Sequence, residues 1–186
     1  MEVCIRKVKP EDLDAVTRVE AVCFPEAEAA PRESFRQRIS TFPDSFFVAE
    51  KDGEIIGFIN GCATDSRVIF DEMFADASHH REDGIYQSIF GLDVIPEYQH
   101  QGWGKRMIDF LEQTYAGSFR ILQAGTGDVP ATVLFYEACG FHRAHVIPDF
   151  FIRNYDHPIF ECGKQLKDMV YFQKEIDVRK GEEYEG

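Results

Sequence analysis

No stretch of the 186-residue chain approaches the roughly 18 consecutive apolar residues of a membrane-spanning helix. The opening Met1-Glu2-Val3-Cys4-Ile5-Arg6-Lys7 also lacks the long apolar core of a secretory leader. Together these absences predict a cytoplasmic protein with no membrane partner. Cysteine is sparse: Cys4, Cys23, Cys62, Cys139 and Cys162 are odd in number, scattered, and form no Cys-x-x-Cys pair. That pattern argues against a disulfide framework and against a zinc site, so no metal is expected. Basic residues are outnumbered 20 to 33 by acidic ones, for a formal charge of −13. Such a surface repels a phosphate backbone, which excludes nucleic acid, and it favours cationic small molecules beside any acidic cleft. With 14 glycines and 8 prolines the chain has neither a repeat nor a low-complexity segment. One domain over residues 1–176, followed by a polar tail at 177–186, is the expectation.

What is present reads as alternating strands and helices. An apolar-alternating start, residues 3–8, precedes Pro10 and a run with Leu13, Val16, Val19 and Cys23 at helical spacing. Prolines at 25 and 31 bracket a loop, and residues 32–41 form a second helical pattern. Residues 46–50 and 54–61 flank Lys51-Asp52-Gly53, whose Asp-Gly predicts a β-hairpin. Residues 64–83, with His79-His80, read as a polar insertion holding one helical turn and covering the active site. A strand over 86–95 carries a central Gly91 that marks a bulge or a close backbone approach. An amphipathic helix over 105–115, with Met107, Ile108, Leu111 and Tyr115 on one face, leads to a strand at 121–124, which implies a parallel pair. A short helix over 131–138 ends at Gly140, and two strands near 142–147 and 169–176 complete an α/β chain.

Between the strand and the amphipathic helix lies Gln99-His100-Gln101-Gly102-Trp103-Gly104, followed by Lys105. Two glycines there let successive backbone amides approach an anion, and the helix N-terminus adds positive potential. An ordinary tight turn explains the glycine spacing equally well. Some 32 residues on stands Leu134-Phe135-Tyr136-Glu137-Ala138-Cys139-Gly140-Phe141. Order and spacing of the two segments resemble the GNAT superfamily of N-acetyltransferases, with a faint likeness to its arylalkylamine branch. The matches are Gln/Arg-x-x-Gly-x-Gly/Ala at Gln99, Gly102 and Gly104, and Phe/Leu-Tyr-x-x-x-Gly-Phe around Tyr136.

The resemblance implies a mixed, mainly antiparallel α/β (α+β) sheet, splayed at the fourth strand, with helices on both faces. It implies acetyl-CoA as co-substrate, with the pyrophosphate on the amides of Gln99, His100, Gln101, Gly102, Trp103, Gly104 and Lys105. The backbone of Leu92, Asp93 and Val94 would hold the pantetheine and acetyl carbonyl, and Phe135 would border the coenzyme. A branched side chain at Gly104 would then sit against the phosphates. Tyr136 would protonate the departing thiolate, a role suited to a phenol. The acceptor would be a small-molecule primary amine, such as an arylalkylamine or polyamine; a homodimer stays open. The alternatives are a non-catalytic acyl-CoA-binding domain and a peptide or protein N-acetyltransferase.

The base is the unresolved part. An amine with a pKa near 10.4 costs between about 4 and 5 kcal/mol to deprotonate at pH 7. Yet Ser88 and Phe90 stand where relatives carry a strand Glu or histidines. A water chain touching Gln87, Ser88 or Asp93, or a loop carboxylate from Glu26 or Glu28, is the remaining route. The expectation for Asp93 itself is a structural hydrogen-bonding residue, for His79 and His80 a solvated surface, and for Cys139 a helix-end core residue. Phe24, Phe42, Phe46, Phe90, Phe150 and Phe151 either wall an aromatic pocket or fill the core.

Overall fold

The computed structural model describes residues 3–26, 28–70, 72–114 and 119–176. β1 (Val3–Lys7) passes through a single 3-10 turn at Pro10–Asp12 into α1 (Leu13–Cys23), whose Val16 and Val19 are wholly buried. After a loop, α2 (Arg32–Thr41) leads to β2 (Phe46–Lys51) and β3 (Glu54–Thr64). Asp52 and Gly53, at φ 51° and 85°, close that hairpin in the left-handed conformation a two-residue turn requires. β4 (Tyr86–Val94), α4 (Trp103–Thr114), β5 (Ile121–Gly127) and α5 (Pro130–Ala138) follow. A short α3 (Glu72–Ala75) and a 3-10 turn at Ala77–His79 occupy the segment between β3 and β4, one turn more than the sequence predicts.

After α5 come β6 (His142–Ile147), α6 (Phe150–Asn154), β7 (Phe160–Glu161), β8 (Lys164–Gln165) and β9 (Met169–Glu175). The main sheet runs β1-β2-β3-β4-β5-β9-β6, antiparallel at every pair except β4 with β5. Helices cover both faces. On one, α1 and α2 bury Phe35 against Phe46 and Phe58, with ring centroids 5.4–6.3 Å apart. On the other, Met107, Ile108 and Leu111 of α4 and Val133 and Tyr136 of α5 pack on Phe47, Ile59, Leu122 and Phe172.

Periodicity alone misses α6 and the β7–β8 hairpin, because five and two residues are too few to show a repeat. Tertiary contacts hold them instead. Phe151, Ile159 and Leu166 form a small cluster with Val129, and the Asp128 carboxylate pairs with Lys164 at 2.7 Å and accepts from the Lys167 amide at 3.0 Å. The 64–83 segment lies over the sheet, where Ile69, Phe70 and Met73 pack on Phe90, Met169 and Tyr171. Tyr115 and the 177–186 tail fall outside the described residues.

Candidate functional site

β4 bonds to β3 along its length but to β5 only from Tyr86 to Ile89, opposite Ile121 to Ala124. Between the pairs Asn60 with Gly91 and Gly61 with Ile89 the register slips, leaving Phe90 as the extra residue of a bulge. A bulge adds local twist. Past the bulge the two parallel strands separate, and from Gly91 to Val94 β4 makes no ladder pairing with β5. A cleft at the carboxyl ends of neighbouring parallel strands is where open α/β sheets bind ligands.

That stretch of β4 runs directly into the glycine turn. Gln99 Nε2 donates to the Val94 carbonyl at 2.8 Å and Gln101 Nε2 to the Glu97 carbonyl at 3.0 Å, so the loop is fastened by its own side chains. His100 and Gly102 take φ of 59° and 84°. A Cβ built on Gly102 would meet nothing within 4 Å, so only conformation, not crowding, calls for glycine there. Trp103, itself buried in the core, starts α4, whose first-turn amides have no partners within the helix. The turn thus stands at the positive end of a 12-residue helix, suited to an anion, although the Gln99 amide expected in that role already donates to the Pro96 carbonyl at 3.3 Å. Lys105 directs its ammonium to Asp109 at 2.7 Å, leaving its backbone amide as its contribution to the turn.

Gly104 is explained differently from the sequence expectation. A Cβ there would stand 3.0 Å from Phe135 Cζ, 3.2 Å from Cε2 and 3.8 Å from Leu92 Cδ2. The first obstacle to a side chain at 104 is therefore the Phe135 ring of α5, pressed onto the first turn of α4. Phe135 thus borders the turn as a packing residue, with Leu92 beside it.

Tyr136, the next residue, is 6% exposed. Its ring stacks on Phe172 at 5.3 Å and meets Phe135 and Phe141 edge-on at the same distance. Burial raises its pKa, and the charges of Cys139, Asp93 and Glu161 add to that. The phenol is therefore protonated across physiological pH. Cys139 is buried at the end of α5, where desolvation raises its thiol and so disfavours a nucleophilic thiolate.

The remaining sequence candidates separate sharply. Gln87 and Ser88 are buried in structural bonds: Ser45 Oγ donates to Gln87 Oε1 at 2.9 Å, and Gln123 Nε2 donates to Ser88 Oγ at 2.9 Å. A hollow of about 340 Å³ beside Ser45, Gln87, Phe42 and His80 lies at the opposite end of β4 from the turn. His80 accepts from the Ala63 amide through Nδ1 at 3.2 Å and His79 meets Phe70 edge-on at 5.0 Å, so both fix the insertion rather than face solvent alone. Glu26 is exposed on the outer surface beside Thr17 and Pro31. Phe46 and Phe151 sit in two separate clusters, and only Phe24, Phe90 and Phe150 keep appreciable exposure, so no single aromatic wall unites the six.

Asp93 departs furthest from expectation. Leu92 and Val94 face α4, whereas the Asp93 side chain points between α1 and α2, 3% exposed, with Oδ2 lacking any hydrogen-bond partner. Around it stand Glu20, Cys23, Arg38 and Asn60, of which sequence reasoning named only Cys23, as a helix-face residue. The missed signal was a charge at a core position: Glu20 follows Val16 by four residues, and Arg38 lies between Phe35 and Ile39.

Comparison with known proteins agrees with this architecture. Residues 13–141 match the model of the "Acetyltransferase (GNAT) family". Two curated Bacillus subtilis (strain 168) proteins are similar over part of the chain. The uncharacterized N-acetyltransferase YvbK is 36% identical over 84 residues, covering 44% of this chain and 54% of that protein. The probable hydrolase YhcX is 30% identical over 114 residues, covering 56% of this chain and 22% of that protein. The chain thus spans about half and about a fifth of the curated relatives it matches. Among solved structures, the loading GNATL domain of CurA from Lyngbya majuscula superposes with a TM-score of 0.77 at 20% identity, covering 95% of this chain and 98% of that one. With a separated fourth strand running into a glycine turn, and a family match over more than two-thirds of its length, the chain belongs to the acetyltransferase (GNAT) family.

Proposed function

We propose that the chain is an acetyl-CoA-dependent N-acetyltransferase that passes the acetyl group directly to the primary amine of a small molecule. The observation that carries this reading is the continuity of three features: the β5-facing edge of β4 past the bulge, the open glycine turn at the start of α4, and Tyr136 beside them on α5. Bound in that cleft, the coenzyme supplies an electrophilic thioester carbonyl and a thiolate leaving group.

The chain's own groups do the rest. Amides over 100–105 hold the pyrophosphate, and the backbone near Leu92 and Val94 on the β5-facing edge orients the pantetheine and polarises the acetyl oxygen. Tyr136, kept protonated by burial, gives its proton to the sulfur as the C–S bond breaks. The net charge of −13 and the carboxylates near Tyr136 favour a cationic acceptor.

The test measures coenzyme A thiol release from acetyl-CoA over a panel of arylalkylamines, polyamines, amino acids and peptide N-termini. Release that depends on a small amine is expected. Stabilisation by acetyl-CoA without release for any amine would replace this reading with a coenzyme-binding domain. Release confined to peptide N-termini would transfer it to protein acetylation.

A further inference from the structure

We propose that Asp93, held against Glu20 beneath the β4 bulge, takes the proton from the acceptor ammonium, with Asn60 lining the same gap; the assignment rests on the acetyl-transfer reading above. Buried polar atoms are nearly always hydrogen-bonded. Here two are not: Asp93 Oδ2, on a residue 3% exposed, and Asn60 Nδ2, on a residue 1% exposed. Asn60 has already committed its oxygen, which accepts from Arg38 Nη1 at 3.2 Å.

Both side chains converge on the space left by a missing side chain. A Cβ built on Gly91 would stand 3.3 Å from Phe58 Cε2, 3.4 Å from Asn60 Nδ2 and 3.9 Å from Asp93 Oδ1, the other oxygen of the same carboxyl. Gly91 adjoins the bulge, beyond which β4 no longer pairs with β5. The Asn60 amide and the Asp93 carboxyl therefore border one small gap beside the bulge, with the Phe58 ring as its third wall. A primary amine satisfies both once it has lost a proton, since it then donates through N–H and accepts through its lone pair. A trapped water would satisfy them too, and the test below separates the two.

The surroundings suit Asp93 to proton acceptance. The charged and titratable groups facing it are Glu20 and Cys23 from α1 and Arg38 from α2, with Cys62 of β3 beside Arg38. Burial first, and then the Glu20 carboxyl, raise Asp93 well above the usual carboxylate range, while Arg38 offsets this in part. Oε1 of Glu20 accepts the Ala30 amide at 2.8 Å, so a single proton on the pair sits on Asp93, and Asp93 acts as base only after that proton has left to solvent. No bond joins two carboxylates, but a proton on Asp93 makes it a donor to Glu20. Cys23, pushed up to about 12 by burial and by both carboxylates, remains a thiol and does not compete.

The proton balance closes. The ammonium gives one proton to the Asp93 carboxylate, which becomes an acid hydrogen-bonded to Glu20. The neutral nitrogen forms the C–N bond and the C–S bond breaks. Tyr136 protonates the sulfur, and the second nitrogen proton restores the phenol. Asp93 returns its proton to solvent after the amide leaves. The charge of Asp93 is among the causes that raise the Tyr136 phenol, so the acid and the base lie within electrostatic reach of each other. Glu161, whose carboxyl is raised by burial and by the charge of Glu28, also bears on Tyr136 and adds to an approach that suits a cation.

The experiment compares two acceptors on the full chain: an alkylamine, and a fluorinated analogue that is neutral at the assay pH. Asp93→Asn is expected to lower kcat/KM for the alkylamine by about 10²- to 10⁴-fold, and for the neutral analogue by no more than about threefold. Equal losses would assign Asp93 a structural role, with water filling the gap, and an unchanged alkylamine rate would overturn the proposal outright. Glu20→Gln supplies an independent readout should Asp93→Asn not fold. Removing that carboxylate lowers the Asp93 pKa, so the rising limb of kcat with pH must move to lower pH, and an unmoved limb contradicts the assignment. A wild-type chain silent with both amines would instead refute acetyl transfer itself.

Discussion

Valine at position 104 probes the contact that closes the glycine turn against α5. Its Cβ would lie 3.0 Å from Phe135 Cζ and 3.8 Å from Leu92 Cδ2, and two methyls beyond the Cβ add bulk beside that ring. Overpacking of this kind costs about 1–3 kcal/mol. Valine regains a few tenths of that, because glycine is the poorer helix former by roughly that margin. A net loss of about 1–2.5 kcal/mol remains, which for a domain of this size lowers Tm by about 2–4 °C per kcal/mol. The assay is thermal melting of Gly104→Val, Phe135→Ala and the double variant. Removing the ring removes the clash, so the double variant must be more stable than the sum of the single losses by about 1 kcal/mol or more. Additivity within about 0.5 kcal/mol would show that Phe135 is not the obstacle. A double variant with normal stability that acetyl-CoA no longer protects would return the role of Gly104 to the phosphates.

Three further outcomes follow from particular contacts. Tyr136→Phe keeps the ring packing with Phe172 and Phe141, so coenzyme affinity should hold while turnover falls by about 10²- to 10⁴-fold; a loss of affinity with turnover intact would reverse the assignment. Cys139→Ala should retain amine-dependent turnover, since the buried thiol is held protonated, and an acetyl adduct trapped on Cys139 would contradict direct transfer. Burial alone would raise the Asp12 carboxyl, but Arg6 at 2.7 and 3.0 Å and the Lys9 amide outweigh it and hold Asp12 below the usual carboxylate range. The folded state then binds this proton less readily than the unfolded chain. Asp12 therefore stabilises above its unfolded pKa of about 3.9, and the benefit is lost as pH falls through the lower folded value. The stability gap between wild type and Asp12→Asn should close with acid; a gap that stays constant refutes the pairing.

Local chemistry made much of the frame readable in advance. Asp52-Gly53 specified the first hairpin because both residues must adopt positive φ, and the strand, glycine turn and amphipathic helix over 86–114 carried their own punctuation. Gly91 next to the bulge was legible because a glycine inside a strand marks a bulge or a close backbone approach. What escaped depends on contacts distant in sequence. The β7–β8 hairpin is held by Asp128, more than 30 residues earlier, and no periodicity encodes that bond. Asp93 read as a strand-end residue because neither the 3% exposure of its side chain nor its neighbour Glu20, 73 positions away, can be seen in a linear pattern. With Ser88 and Phe90 at the usual strand positions, the sequence offers only a water chain touching Gln87, Ser88 or Asp93 or a loop carboxylate from Glu26 or Glu28, whereas the fold brings carboxylates together from α1 and β4.

The central claim is that a coenzyme thioester held at the glycine turn is attacked by an amine. Its most direct test is the simultaneous measurement of free coenzyme A thiol and N-acetylated product as an amine is titrated into enzyme and acetyl-CoA. Thiol and acetyl-amide should appear in equal amounts, and thiol release should be absent without the amine. Thiol released in excess of acetylated amine would mean that water is the acceptor, and acetyl-CoA bound with neither product formed would mean that the turn holds a coenzyme the chain does not use.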